Sequence, residues 1–350
     1  MKEALVQPDL SVRIIESPIP TPGPDEITIQ VVTLGINPID WKAADPQVAN
    51  ALLGMLKAKQ YANPGKDIAG YVHSVGSNVQ EFKLGDRVAS TNHGGGFAEY
   101  AIGPGFTTYL LPNHVSFEEA VSYGLGYLTA ALNLYKELRL SEPWNPATET
   151  TPLVIYGASS TVGAFAVKLA RLSNIHPIIA VAGRGAGFVS SLLDSSKGDV
   201  VIDYRKGSEH VISEIQRSDP KAQNVLDAIS IPESISLLSS IPDPVNRQMS
   251  LVLPPEAPTV NPRINITVSF APLLWEPNDP SGPDGEITAR IALKAFAYIT
   301  FRYLVHAQAN HLISPHPCEV LPGGLEEISG GLKNLRDGKN SARKYILRIT

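Results

Sequence analysis

Residues 153–171, LVIYGASSTVGAFAVKLAR, place a small-residue turn between an apolar run and a run with helical spacing. Gly157, Ser160 and Gly163 hold the three positions of a G-x-x-S-x-x-G turn. Gly157 permits the tight reversal, and Gly163 lets the following helix pack closely on the sheet. The first turn of that helix offers unpaired amides and the positive end of a dipole, which together suit a pyrophosphate. Ser159, Ser160 and Thr161 can add hydroxyl donors, and Val162 lies in the same turn. An ordinary turn with a serine N-cap would use the same residues; its place in a strand–helix series favours cofactor binding. The G-x-x-x-x-G-K-[ST] spacing of a P-loop is absent.

The end of the next strand in a dinucleotide fold commonly carries an acid for the ribose hydroxyls of NAD. Here Gly183 and Arg184 take that place, and no Asp or Glu occurs between Gly163 and Asp194. Arg184 can pair with a 2′-phosphate, and Tyr204, ending the third strand, can pack beside the adenosine. A solvated arginine is the commoner fate of such a residue. The nearby GRGAG (183–187) is glycine-rich but lacks the G-x-G-x-x-G spacing. The missing acid and the arginine together favour NADPH over NADH. Val252 and Leu253, closing the strand MSLVL (249–253), are expected to border the same ligand.

These residues need a scaffold, and the chain supplies two kinds. Up to about residue 120, short strands alternate with turn residues: ITIQVV (27–32), DIAGYVHSV (67–75), RVAS (87–90) and FAEYAI (97–102). Gly/Pro/Asn/Asp punctuation at that density predicts a β-rich unit. From Ser122 to Leu140 the apolar spacing turns helical. Strands and helices then alternate, with LVIYG, PIIAVAG (177–183), VVIDY (200–204), NVLDAI (224–229), MSLVL and INITVSF (264–270) as strands. Continuous apolar strands between amphipathic helices predict a parallel sheet covered on both faces. Two Pro-rich loops, PPEAPTVNPR and WEPNDPSGPDGE, precede a helix at about 286–311. The final segment reads as a helix and a strand returning to the β-rich unit. The expected domains are 1–121 with 276–350, and 122–275.

Composition narrows the class. The 350 residues are 43% hydrophobic and 18% charged, with a net charge of −5 and one cysteine, Cys318. No basic footprint for nucleic acid stands out, and a single thiol excludes an internal disulfide framework. No apolar stretch of membrane length or signal-peptide form is found, so a cytoplasmic enzyme without a membrane partner is expected.

A β-rich start, a central dinucleotide fold and a C-terminal return together resemble the medium-chain dehydrogenase/reductase superfamily over nearly the whole chain. The resemblance rests on GINPIDWK (35–42), GKDIAGYVHSVGSNVQEFKLGDRV (65–88), GGFAEY (95–100), YLTAALNLY (127–135) and the loop at 157–163. It implies an α/β protein: a GroES-like β-barrel catalytic domain plus a Rossmann doubly wound parallel sheet. Zinc-dependent members place a cysteine early in the barrel and Gly-His-Glu in the hairpin; the matching residues here are Asn37-Pro38 and Lys66-Asp67. The structural-zinc cysteines are missing too, and His306, His311 and His316 form no ligand set, so no metal is expected.

Within the zinc-free members, NPIDWK is most similar to fungal trans-acting enoyl reductases of polyketide synthases. That resemblance implies Lys42 and Thr129 as catalytic residues, with Asp40, Trp41 and Lys42 also beside the cofactor. It further implies a substrate pocket from YGLGYLT (123–129) and SFAPLLW (269–275): Tyr123, Leu125, Tyr127, Thr129, Phe270 and Leu273. Taken alone, Lys42 would be a solvated lysine and Thr129 a threonine back-bonded within a helix. The implied reaction is NADPH-dependent reduction of an enoyl thioester, carrier-bound or small, with a polyketide synthase as partner. An NADPH-dependent quinone or enone reductase of the same fold and a non-catalytic NADPH-binding protein are the alternatives. A short-chain dehydrogenase would start with its cofactor loop and carry Tyr-x-x-x-Lys; a serine hydrolase would need G-x-S-x-G.

Overall fold

The computed structural model describes residues 1–45, 62–242, 246–255, 263–275 and 284–349, with the side chains of 284–287 left aside. The chain divides into two compact units, Met1–Leu125 with Pro272–Thr350, and Gly126–Ala271.

The first unit opens with an antiparallel hairpin, β1 (Lys2–Val6) and β2 (Val12–Glu16), which the turn-rich sequence does not announce. Its main sheet is built on β3 (Glu26–Gly35), which pairs with β4 (Asp67–Val75), and β4 pairs in turn with β5 (Arg87–Thr91). The strands β6 (Tyr100–Pro104) and β7 (Thr108–Leu110) follow. β6 starts three residues later than the apolar run FAEYAI suggests, because Phe97 and Ala98 are packed inside, ahead of the strand. Alternation fills the interior: Ile27, Ile29, Val31 and Leu34 of β3 meet Ile68 and Val72 of β4 and Val88 of β5 in one core.

Register then sets the chemistry. Asp67, the first residue of β4, lies opposite Gly35 at the end of β3 and opposite Thr91 at the end of β5. The chain end comes back to the same place. β14 (Cys318–Leu321) pairs in parallel with β15 (Lys344–Arg348), and β15 runs antiparallel to β3 beside Gly35.

Among its described residues the second unit holds six parallel strands. These are β8 (Leu153–Tyr156), β9 (Ile178–Ala182), β10 (Val200–Asp203), β11 (Asn224–Asp227), β12 (Gln248–Leu251) and β13 (Asn265–Val268). Their spatial order, β10-β9-β8-β11-β12-β13, is the doubly wound order of a Rossmann sheet, with its reversal between β8 and β11. Val154, Ile179, Val181, Val225, Met249 and Leu251 form its apolar centre, as buried parallel strands require.

The helix expected from Ser122 starts earlier, spanning Phe117–Ala131. A capping box starts it: Glu119 accepts the Ser116 amide (2.9 Å), and the Ser116 hydroxyl accepts the Glu119 amide (3.1 Å). The helix breaks at Gly124 (φ 35°, ψ −129°) and passes into a π-turn segment over Leu132–Glu137. The last long helix spans Asp284–Ala309, and most of each Pro-rich loop lies outside the described residues.

Candidate functional site

The Lys42 side chain stands on a short helix, Pro38–Ala44, that the sequence starts deliberately. Pro38 sits where a helix needs no amide hydrogen, and the Asp40 carboxylate reaches back to accept the Asn37 amide at 2.7 Å. Lys42 is half-buried with its ammonium 5.8 Å from the centre of the Trp41 ring, and burial lowers its pKa. Asp40 departs from expectation. It is fully enclosed, so its carboxylate meets no ligand surface; it belongs to the support beneath Lys42.

That support contains four buried ionisable groups: Asp40, Lys66, Asp67 and Lys344. Asp67 accepts the Asn37 side-chain amide (2.9 Å), the Thr91 hydroxyl (3.0 Å), the Leu125 amide (2.9 Å) and the Lys344 ammonium. Lys66 donates to the His93 carbonyl. Asp40 keeps one carboxylate oxygen without a partner, and burial pushes its pKa up to about 7 against the opposing pull of Lys66. Burial likewise lowers Lys66, while the two aspartates raise it. Two acids and two bases thus share one dry pocket, which keeps the net buried charge low. The sequence shows Lys66 and Asp67 only as residues standing where zinc ligands are missing. The Asn-Pro-x-Asp spacing of a helix start was the available signal for Asn37 and Asp40.

In the second unit the turn at 157–163 takes the expected strand–turn–helix form, the helix spanning Thr161–Leu172. Ser160 is its N-cap, its hydroxyl oxygen accepting the Gly163 amide at 3.0 Å while its own hydrogen stays able to donate. Ser159, Ser160, Thr161 and Val162 are all partly exposed, and no acid occupies the first turn. A Cβ on Gly163 would collide with the Gly157 carbonyl, so only glycine permits this approach. Gly157 (φ 75°) leaves its Cβ space to Ile229, whose Cγ1 lies 2.5 Å from that point. Ile229 is held by Asp227, which accepts the amides of Ile229 (3.0 Å) and Ser230 (2.9 Å) and the Ser234 hydroxyl (2.6 Å). Ser230 in turn accepts the Val252 amide at 2.9 Å, which ties the partly exposed Val252–Leu253 segment to this floor. This chemistry of free first-turn amides, hydroxyls and glycines suits a dinucleotide pyrophosphate.

Gly183 and Tyr204 are neighbours: a Cβ on Gly183 would stand 2.6 Å from the Tyr204 ring. Arg184 beside them is exposed. Asp203, the acid nearest Tyr204, is engaged twice by Arg205, which pulls its carboxyl down to about 2. Lys206 follows, exposed, so this edge offers cations that the sequence reading passed over.

Thr129 belongs to the second unit and Lys42 to the first. Thr129 is nearly buried, and its carbonyl accepts the Asn133 side chain (2.7 Å), whose own oxygen takes the Ser250 hydroxyl (2.7 Å). The same helix passes the phosphate turn, for a Cβ on Gly126 would stand 2.5 Å from the Thr161 methyl. The pocket residues are mostly interior. Tyr123 is buried with its hydroxyl on the Ile313 carbonyl (3.1 Å), and Tyr127 packs edge-on against Phe165. Leu125 and Phe270 are buried, and Leu273 is partly exposed. Trp275, just beyond, stacks on His93 with ring centres 6.2 Å apart.

Among the described residues, no group of three or more His, Cys, Asp or Glu could hold a metal ion, and no helix is long and apolar enough to cross a membrane.

Residues 23–113 match the alcohol dehydrogenase GroES-like domain. Over its whole length the fold is shared with the CurK enoyl reductase (TM-score 0.77, 17% identity, 99% and 98% of the two chains). It is shared equally with a quinone oxidoreductase of Pseudomonas syringae pv. Tomato (TM-score 0.74, 17% identity, 99% of both chains). A mycobacterial protein solved with NADPH also has it (TM-score 0.75, 19% identity, 99% and 100% of the chains). Sequence separates these further. A trans-enoyl reductase of Gibberella fujikuroi is 36% identical over 332 residues, 92% of this chain and 91% of that protein. One of Aspergillus sclerotiorum is 29% identical over 98% of both. With this identity over 92% of its length, the chain belongs to the trans-enoyl reductase family.

Proposed function

We propose that this chain reduces the α,β double bond of an enoyl thioester with NADPH, acting in trans on a chain carried by a polyketide synthase. When bound, NADPH supplies the hydride that goes to the β-carbon. The turn Gly157–Gly163 holds the pyrophosphate through its first-turn amides and the hydroxyls of Ser159, Ser160 and Thr161. Arg184 pairs with the 2′-phosphate, and Tyr204 lies along the adenosine. Lys42 donates to the thioester oxygen as negative charge builds there, and Thr129 adds a second donor. A preorganised donor of this kind is the largest single contribution such a site makes. The partly desolvated Lys42 ammonium on a capped helix, in a chain of this family, carries the reading.

The test is NADPH consumption measured with enoyl-pantetheine thioesters and with quinones. Turnover with the thioesters, and at most slow turnover with quinones, is the expected result. The reverse preference would make the chain a quinone reductase, and no consumption with either would make it a binding protein.

A further inference from the structure

We infer that Asp67 is a positioning residue for Lys42, acting through Asn37. This rests on the reading of Lys42 as the donor to the substrate oxygen. Asp67 touches no ligand surface, being 1% exposed. It sits at the start of β4, fixed between Gly35 and Thr91 by the register of three strands. One of its oxygens receives the Asn37 side-chain amide and the Lys344 ammonium, and the other receives the Thr91 hydroxyl and the Leu125 amide. Asn37 is the N-cap of the helix that carries Lys42, and its backbone amide is held by Asp40 in that same helix. Rotation or sliding of this helix would break the Asn37–Asp67 bond inside the protein, where water cannot replace it. Asp67 pairs with the Lys344 ammonium inside the protein, and charge-assisted hydrogen bonds are about twice as strong as neutral ones. Ala44 and Trp41 hold the far end of this short helix against the core, and the Asn37–Asp67 bond fixes its first turn. The ion-paired carboxylate therefore completes the set of contacts that decides where the Lys42 ammonium stands.

A double-mutant cycle distinguishes positioning from general support. kcat and KM are measured for wild type, Asp67→Asn, Lys42→Met and the double variant with an enoyl-pantetheine thioester, at a temperature well below each variant's unfolding midpoint. Asp67→Asn should lower kcat by about tenfold or more with KM for NADPH within twofold, and should lower it no further in the Lys42→Met background, because groups acting as one unit are not additive. The same fold-loss in both backgrounds would overturn the inference. Wild-type activity in Lys42→Met would instead remove the functional reading it rests on. If Asp67→Asn does not fold, Asn37→Ala cuts the same link while leaving the Asp67–Lys344 pair in place, and the cycle is read with that variant.

Discussion

The Asp67 carboxylate occupies the space beside Gly124 where any other residue would carry its Cβ: that atom would lie 2.6 Å from Oδ2 and closer still to Oδ1. The same carboxylate receives the Leu125 amide, the first donor after the break in the helix. A buried anion thus replaces the helical acceptor that the kink at Gly124 removes.

Gly124→Ala should therefore be among the most damaging small substitutions in the chain. A positive φ costs about 1–3 kcal/mol for a non-glycine residue, and crowding in a packed interior adds about 1–3 kcal/mol. Urea unfolding should show that loss of stability. Equal midpoints for Gly124→Ala and wild type would refute the geometric argument.

Ser160 joins folding to ligand binding. Its replacement by alanine removes the acceptor for the Gly163 amide and should cost about 0.5–2 kcal/mol, whereas glycine should cost only a few tenths. Both variants lose the hydroxyl, so both should bind NADPH more weakly. Fluorescence titration that found Ser160→Gly binding like wild type would confine the serine to its capping role.

Local signals in the sequence were enough for much of this architecture. The strand DIAGYVHSV is found where expected, its first four residues buried and exposed positions entering only from Tyr71 onward. The capping box Ser116-x-x-Glu119 is in plain view, yet the apolar spacing places the helix start five residues late, its first turn being rich in glutamates rather than apolar residues. The supporting charges were not legible at all. Asp67 and Lys344 are 277 residues apart, and only the pairing of β15 with β3 brings them together. The tie between Asn133, in the π-turn segment, and Ser250 is hidden for a similar reason, because 117 residues separate them in the chain.

Arg184 is the residue that should select the cofactor. A hydrogen bond to a charged group contributes about 1.5–3 kcal/mol, so Arg184→Ala should weaken NADPH binding roughly 10–100-fold and leave NADH binding almost unchanged. Because Arg205 is committed to Asp203, it should not compensate. Comparable weakening of both cofactors would assign Arg184 to structure instead.

Lys42→Met keeps the length and apolar stem of the side chain and removes the donor. Loss of one such donor slows a reaction roughly 100–1,000-fold. The loss should appear in kcat while NADPH affinity, measured by titration, stays within about twofold. Retention of most of the activity would exclude Lys42 as the group facing the substrate oxygen.

His93 should make stability depend on pH. Burial, and then the neighbouring Lys66, lower its pKa from 6.5 to about 4, so the folded protein holds the ring neutral. The unfolded chain takes up a proton below about pH 6.5 and the folded chain does not until about pH 4. His93 therefore contributes stability that is complete above pH 6.5 and is lost progressively as the pH falls through that window. Its ring also stacks on Trp275, so His93→Asn should lower stability somewhat at pH 7.5. The informative quantity is the slope. Denaturant midpoints at pH 7.5, 5.5 and 4.0 should fall more steeply in wild type than in His93→Asn, and parallel curves would show that the ring is protonated as readily inside the fold as outside it.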